Sequence, residues 1–238
     1  MIGLGTIINV AAIIIGGLGG LLFGKLLKER FQDTLIKALG VCTMFIGISG
    51  TLEKMLTIAD GGLSSNGTMM VIVSMAVGAV LGELVDLDGK LEKFGCWLKI
   101  KTGNARDNSF VHGFVTTSLT VCIGAMAIVG AINDGIFGDY SILVAKSALD
   151  LVLVMIMTAS MGKGCIFSAI PVGLLQGSVT ILAKLVEPLM TEGALYNLSM
   201  VGSMLIFCVG VNLIWERKIK VANMLPALVI AVVWALVG

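Results

Sequence analysis

The feature that most constrains the fold of this sequence is a series of apolar stretches, each close to the length that crosses a membrane as a helix. The hydrocarbon core of a bilayer takes about 20 apolar residues of α-helix. Of the whole chain, 57% is hydrophobic and 13% is charged, whereas soluble domains carry about 25% charged residues. We therefore predict an all-α membrane protein, a polytopic bundle of about eight transmembrane helices.

The apolar stretches divide the chain into spans of one predicted transmembrane domain, residues 1–238. The predicted spans are residues 2–24, 35–52, 67–84, 110–132, 141–161, 164–183, 194–215 and 221–237. Residues 85–109 are polar and contain an amphipathic segment around Trp97 that suits a helix lying on the membrane surface. Spans two and eight are short, so a count of about seven is the alternative. Since no basic residue precedes Lys25, we expect the first run to be a permanent span and not a cleaved signal peptide.

Basic residues predict the orientation of the spans. One membrane face receives 13 of the 16 Lys and Arg residues, namely Lys25, Lys28, Arg30, Lys37, Lys90, Lys93, Lys99, Lys101, Arg106, Lys163, Arg217, Lys218 and Lys220. The positive-inside rule makes this face cytoplasmic and places both termini outside. The short outer loop before span five then carries Asp134 and Asp139.

Several function classes lack any signal in the sequence. The five cysteines form no CxxC pair and His112 is the only histidine, so we expect neither a metal nor a cofactor. With a net charge of +1 and no nucleic-acid-binding motif, we expect no nucleic-acid partner. Since no nucleophile and base pattern is present, we expect that the protein is not an enzyme.

The strongest candidate site is the pair Lys146 and Asp150 in span five. The two residues are one helical turn apart on the same face, and Asp150 falls near the middle of the span. Burying a charge there costs at least about 2.5 kcal/mol. We interpret the pair, with Ser147 beside it, as a site that binds a substrate or an ion. The alternative is a structural ion pair in which Lys146 extends toward the outer surface.

Span six contains a second candidate feature, Pro171. Proline lacks a backbone N–H and clashes with the preceding turn, so we expect the helix to kink or break there. Gln176 and Ser178 bring hydrogen-bonding groups to a similar depth, as in the broken helices that line transporter sites. Gly173 and Gly177 predict close approach of another helix. The alternative is a kink that serves packing alone.

Two further spans carry candidate residues. Gly16 and Gly20 in span one are spaced to let another helix pack closely. Asn9 in the same span, and Asn212 in span seven, either contact a ligand or hydrogen-bond to a neighbouring helix. Two gap-free internal alignments, of residues 42–54 with 205–217 and of 77–82 with 172–177, relate spans of opposite direction. They indicate either inverted repeats, typical of transporters, or a shared apolar composition.

Together these features favour a secondary transporter of a small solute or ion over the alternative, a membrane scaffold or assembly protein whose buried charges are structural. The lipid bilayer is one expected partner and the transported solute or ion another. The substrate and the oligomeric state stay open at this point, a homo-oligomer being one of the alternatives.

Three stretches, residues 5–24, 138–150 and 167–180, resemble a bacterial family of integral membrane proteins, the YqgA- and YdfK-like domain of unknown function 554. The resemblance covers essentially the whole chain. It implies a multi-pass protein of the bacterial inner membrane, and by motif it points to Lys146, Asp150 and Gln176.

The predicted topology is testable with single cysteines, Lys101→Cys and Phe137→Cys, in a chain whose five native cysteines are replaced. A membrane-impermeant maleimide added to intact cells should label position 137, and should label position 101 only after permeabilisation. Labelling of position 101 from outside the cell would contradict the orientation.

Overall fold

The computed structural model describes residues 2–26, 28–59, 62–215 and 219–237, and this part of the chain is mostly helical, with one short hairpin and several turns between helices. The helices are α1 (Leu4–Leu26), α2 (Glu29–Met55), α3 (Thr68–Val85), α4 (Leu87–Lys101), α5 (Phe110–Cys122), α6 (Ala125–Phe137), α7 (Ser141–Met161), α8 (Ala169–Ile181), α9 (Ala183–Val186), α10 (Glu192–Trp215), α11 (Val221–Met224) and α12 (Pro226–Val237). Two 3₁₀ helices, Lys163–Ser168 and Glu187–Leu189, flank α8 and α9. The hairpin, β1 (Leu56–Ala59) and β2 (Gly62–Ser65), is antiparallel and lies between α2 and α3.

The prediction of an all-α polytopic membrane protein is confirmed. Within the described residues, six helices are long and apolar enough to cross a membrane, and the bent pair α5 and α6 makes a seventh if it is one span. The predicted eighth span, Val221–Val237, is a shorter apolar segment that Pro226 divides into α11 and α12. Two of the basic residues used to predict orientation, Arg217 and Lys218, lie outside the described residues, and the orientation stays a prediction.

Span four is not the single helix that we predicted over residues 110–132. α5 ends at Cys122, α6 begins at Ala125, and the two helices are bent by 63°. Gly124 between them has a φ of 145°, which residues with a side chain rarely adopt, so the helix cannot continue through it. α6 then extends to Phe137, and Asp134 lies on this helix and not in the outer loop where we had placed it.

Span six departs from the prediction in a related way. Residues 163–168 form a 3₁₀ helix and the α-helix begins only at Ala169, so Pro171 lies in the first turn of α8. A backbone N–H in that turn has no partner within the helix, so proline is tolerated there. The change in helix type therefore precedes Pro171 and does not occur at it.

The chain forms two compact units, and the interpretation of residues 1–238 as one domain stays a prediction. Unit 1 comprises residues 1–39, 90–122 and 126–186, and unit 2 comprises residues 40–89, 123–125 and 187–238. In unit 1, α1 lies along α7, and at three glycines the two backbones leave no room for a side chain. A Cβ added to any of three α1 glycines would meet main-chain atoms of α7: Gly16 at Leu151, Gly20 at Met155, Gly24 at Ala159.

These contacts fix the relative direction of the helices within each unit. Residue numbers rise together along α1 and α7, so the two helices are parallel. In unit 2 they run oppositely: Gly40 meets Gly210 and Gly47 meets Ser203, so α2 and α10 are antiparallel. If α2 and α3 each cross once, α7 can run parallel to α1 only when α5 and α6 together cross the membrane. On that condition the direction of α7 is consistent with one broken span formed by α5 and α6, the seventh candidate span.

Unit 1 has an apolar cluster on which the candidate site lies. Its buried members come from α1, α5, α7 and α8: Ile13, Val121, Val154, Ala169 and Val172. Asn9, Asp150 and Gln176 each lie four residues, about one helical turn, from a cluster residue on their own helix. The apolar cluster therefore places the side chains of Asn9, Asp150 and Gln176, which belong to three different helices, about one helical turn away on the same side of the cluster.

Unit 2 has its own core, made by α3, α10 and α12. Met70, Val71, Met200, Val201, Ala227 and Ala231 are buried together there. Beyond this core, Lys220 Nζ and Asn223 Nδ2 each donate to one carboxylate oxygen of Glu83, both at 2.6 Å. Asn223 Oδ1 also accepts the N–H of Asp88 at 2.7 Å. These bonds join the end of α3, the start of α4 and α11.

Gly20 in α1 and Gly177 in α8 give a matched test of helix packing. A Cβ at Gly20 would meet the Met155 carbonyl and lie 2.8 Å from Thr158 Cβ. At Gly173 a Cβ would meet the Val10 side chain at 3.2 Å, and at Gly177 the described residues leave the space open to 4 Å. The close approach of a helix that we predicted at Gly177 is therefore not found.

We expect Gly20→Ala to lower the free energy of unfolding by about 1–3 kcal/mol, since the α7 backbone cannot move aside. Gly177→Ala should be neutral or stabilise by up to about 1 kcal/mol, since alanine is the better helix former. Thermal unfolding in detergent measures both. Equal effects of the two substitutions would contradict the packing of α1 on α7.

Candidate functional site

Lys146 and Asp150 form a buried ion pair on α7. Their exposed fractions are 7% and 6%, and Lys146 Nζ donates to Asp150 Oδ2. Lys146 Nζ also donates to the main-chain carbonyl of Val121 at 2.9 Å, in the last turn of α5. The ammonium group therefore points into unit 1, and the alternative in which Lys146 extends toward the outer surface is not the arrangement found.

Two amide side chains from other helices complete the cluster. Asn9 of α1 and Gln176 of α8 are 0% and 1% exposed. Asn9 Nδ2 donates to Asp150 Oδ2 at 3.1 Å and to Gln176 Oε1 at 3.3 Å. Three of the seven predicted binding residues, Asp150, Lys146 and Asn9, are thus joined directly, and Gln176 is joined through Asn9.

The cluster leaves part of its hydrogen-bonding capacity unused. Among the residues that the structure describes, no group pairs with Asn9 Oδ1 or with Gln176 Nε2. Thr6 Oγ1 on α1 and Thr180 Oγ1 on α8 are likewise buried and unpaired within this part of the chain. A buried polar atom without a partner costs about 1–3 kcal/mol, so the cluster offers a free acceptor and a free donor to a bound molecule.

The other three predicted binding residues do not join the cluster. Ser147 Oγ donates to the Leu143 carbonyl of its own helix at 2.6 Å. Ser178 is exposed, and its Oγ donates to the Leu175 carbonyl at 2.8 Å. Asn212 belongs to unit 2, where both ends of its amide bond to the main chain of Ile219, at 2.7 and 2.9 Å. All three serve local structure because a nearer partner satisfies each of them.

Asp134 is the main residue that the sequence interpretation missed. It is 0% exposed and accepts the N–H of Gly3 at 3.1 Å and that of Gly5 at 3.0 Å, one on each carboxylate oxygen. A carboxylate at this place accepts hydrogen bonds from free N–H groups at the start of α1. Its negative charge also interacts favourably with the positive end of the α1 helix dipole. The sequence Asn133-Asp134-Gly135 suits a turn, which fits the loop position that we predicted for Asp134, but α6 continues through these residues to Phe137.

Asp139, two residues before α7, differs from Asp134 in being exposed to solvent. Its Oδ1 accepts the N–H of Ser141 at 3.0 Å. Hydrogen bonds from the hydroxyl and the N–H of Ser141 hold the pKa of the Asp139 carboxyl below its usual range. Of the two aspartates that we placed in this loop, only Asp139 is a loop residue.

The chemistry open to the cluster is binding through one carboxylate, one ammonium and two amides. Across residues 2–26, 28–59, 62–215 and 219–237, no group of three or more His, Cys, Asp or Glu side chains is arranged to hold a metal ion. The fold and the buried charged cluster define a polytopic α-helical membrane protein, whose outer surface contacts the lipid bilayer.

Comparison with known proteins places the chain in a family. The family model described as "Protein of unknown function (DUF554)" matches residues 4–236, and the chain belongs to this family. It is 28% identical over 226 residues to the "Uncharacterized membrane protein YdfK" of Bacillus subtilis, covering 95% of this chain and 93% of that protein. It is 29% identical over 232 residues to the "Uncharacterized protein YqgA" of Escherichia coli, covering 96% and 94%. No solved structure matches the chain.

The capping role of Asp134 can be tested against Asp139. We expect Asp134→Ala to lower the free energy of unfolding by about 2 kcal/mol or more, since it strands two N–H groups at the start of α1. Asp139→Ala, in the exposed loop, should cost far less. Thermal unfolding of both variants in detergent gives the comparison, and a similar loss in both would show that Asp134 is not a cap.

Proposed function

We propose that the protein is a secondary transporter of a small solute or ion across the bacterial inner membrane, and that the Lys146 and Asp150 cluster is its binding site. The observation that carries this proposal is the incomplete pairing of the cluster. A charged pair that served only to hold helices together would gain by having every buried polar neighbour satisfied. Here Asn9, which bonds to the carboxylate, and Gln176, which bonds to Asn9, keep one unpaired atom each among the described residues.

A broken helix supports the same proposal. The half-helix α5 ends in the middle of its apolar segment, and the carbonyl of Val121 in its last turn faces Lys146. Non-helical backbone at membrane depth is tolerated where it is buried in protein or lines a water-filled cavity, and the proposal takes the second case here. Half-helix ends beside a charged group are how many transporters bind ions and solutes.

The contact between α2 and α10 supports an inverted repeat. In the alignment of residues 42–54 with 205–217, Gly47 corresponds to Gly210 and Met44 to Phe207. A Cβ at Gly47 would meet the Phe207 nitrogen, and a Cβ at Gly210 would meet the Met44 nitrogen. The two equivalent glycines therefore make reciprocal contacts, as a local two-fold axis between antiparallel helices requires.

The second alignment receives no such support. It pairs Gly78 with Gly173 and Gly82 with Gly177. A Cβ at Gly78 or Gly82 would collide with the main chain of Ala227 or Asn223. Gly173 meets only a side chain, and Gly177 has open space within the described region. Shared apolar composition explains this second similarity, so the proposed repeat rests on α2 and α10.

Three variants distinguish the transport proposal from the scaffold alternative: Asp150→Asn, Lys146→Met and the double variant. Each single change strands the other charge and should cost about 3–5 kcal/mol in stability, whereas the double change should cost much less. For a transporter, the double variant should unfold near the wild-type temperature but show no flux in proteoliposomes.

Flux is screened with a panel of small polar solutes and with proton- and cation-sensitive dyes, alongside the control Ser178→Ala. Ser178 is on α8 near Gln176 but is exposed and bonded to its own helix, so the control should keep the wild-type flux. A double variant that is stable and fully active would place the binding site elsewhere. Wild-type protein with no flux for any solute would favour the scaffold.

A further inference from the structure

The surroundings of Lys146 Nζ are those of a bound cation. Its two acceptors among the described residues are both oxygens, the Asp150 carboxylate and the Val121 carbonyl. The same carboxylate oxygen accepts a hydrogen bond from Asn9 Nδ2. Carboxylate and carbonyl oxygens are the ligands that hard cations prefer in proteins.

The Val121 carbonyl is a favourable cation ligand because of its place in the helix. The last four carbonyls of a helix lack partners within it, and α5 ends one residue after Val121. The same end carries the negative pole of the helix dipole, which favours a cation. Gly124, with its φ of 145°, ends the helix at this depth and so leaves the carbonyl free for Lys146.

Asn9 could supply a third oxygen. Its Oδ1 is buried and unpaired within the described part of the chain, while its Nδ2 faces Asp150. A half-turn of the amide would exchange these two atoms and turn the oxygen toward the carboxylate and its cation. With the ammonium present the observed orientation is preferred, because Nδ2 then donates to both Asp150 and Gln176.

We propose that Lys146 Nζ fills a site for a small monovalent cation, formed by Asp150, the C-terminal end of half-helix α5 and, after its amide turns, Asn9. The native protein then carries its own tethered cation, and free Na⁺, Li⁺ or K⁺ has no place in this site. Removing the ammonium without filling its space opens the site. The consequence of this inference for transport rests on the proposed function. If the protein is a transporter, no metal cation binds at Asp150 as the coupling ion.

The test measures ion binding by thermal unfolding in detergent and needs no substrate, so its failure is distinguishable from failure of the transport proposal. Lys146→Ala is compared in NaCl, LiCl, KCl and choline chloride at equal ionic strength. We expect at least one alkali cation to raise the unfolding temperature saturably. At about ten times its Kd the rise should be roughly 3–6 °C over choline.

Three controls make the result specific. Lys146→Met keeps the volume of the side chain but has no charge, so it should show no difference between alkali cations and choline. The double variant Lys146→Ala with Asp150→Asn should lose the response because the carboxylate ligand is gone. Wild-type protein, whose site is filled, should unfold at the same temperature in all four salts.

Two outcomes would overturn the proposal. One is a Lys146→Ala protein that unfolds at the same temperature in every salt. The other is a saturable, cation-selective stabilisation of the wild-type protein that Asp150→Asn removes, since the native site would then be open. If Lys146→Ala cannot be purified, Lys146→Ser, which keeps a small side chain with an oxygen, is measured in the same way and judged by the same outcomes.

Discussion

The interaction on which unit 1 depends is the pairing of the Asp150 carboxylate with the Lys146 ammonium group. A charge among packed helices lacks water, and its desolvation costs several kcal/mol unless neighbouring groups compensate. The compensation comes from three sides: the ammonium group on α7, a carbonyl at the end of α5, and the amide of Asn9 on α1. Because these groups belong to different helices, the charged pair links α1, α5 and α7.

Close apolar packing brings these helices near enough for the hydrogen bonds to form. The glycines of α1 bring its backbone against that of α7, so Asn9 reaches Asp150 although its side chain is short. Close backbone approach through small residues is the usual way in which membrane helices associate. The parallel direction of α1 and α7 has a second consequence. If α2 and α3 each cross once, it requires α5 and α6 to cross the membrane together, and the end of α5 within this crossing is where the Val121 carbonyl accepts a hydrogen bond from Lys146.

Much of this arrangement could be predicted from the sequence, because side-chain chemistry and helical spacing carry it. The i, i+4 pair of Lys146 and Asp150 shares a helix face wherever the helix lies, and Asn9 and Gln176 stand out as amides in apolar segments. The Val121 carbonyl could not be predicted, since every residue has one and only the helix end makes it available. Gly124 in an apolar run was the one available signal of that end.

Other predictions failed because two local structures satisfy the same sequence pattern. Asn133-Asp134-Gly135 suits a turn, yet α6 continues through it because Asp134 finds the free N–H groups at the start of α1. Pro171 is compatible with a helix break, but equally with the first turn of a helix. The local structure depends on a contact with another segment at Asp134 and on where the helix begins at Pro171. Neither can be read from the residue type at that position.

The contrast between the two units bears on whether the cluster around Asp150 is structural or functional. In unit 2, the buried amides of Asn212 and Asn223 each use both their oxygen and their nitrogen in hydrogen bonds to described groups. Both carboxylate oxygens of Glu83 are also bonded. These contacts hold segments together, and each oxygen and nitrogen atom of the two amides and of the Glu83 carboxylate takes part in one of them. In unit 1, Asn9 and Gln176 are more deeply buried than Asn212, yet within the described chain each keeps an unpaired atom. The same fold can therefore complete the pairing of buried amides, and the unpaired atoms of Asn9 and Gln176 are compatible with the proposed binding role of the cluster.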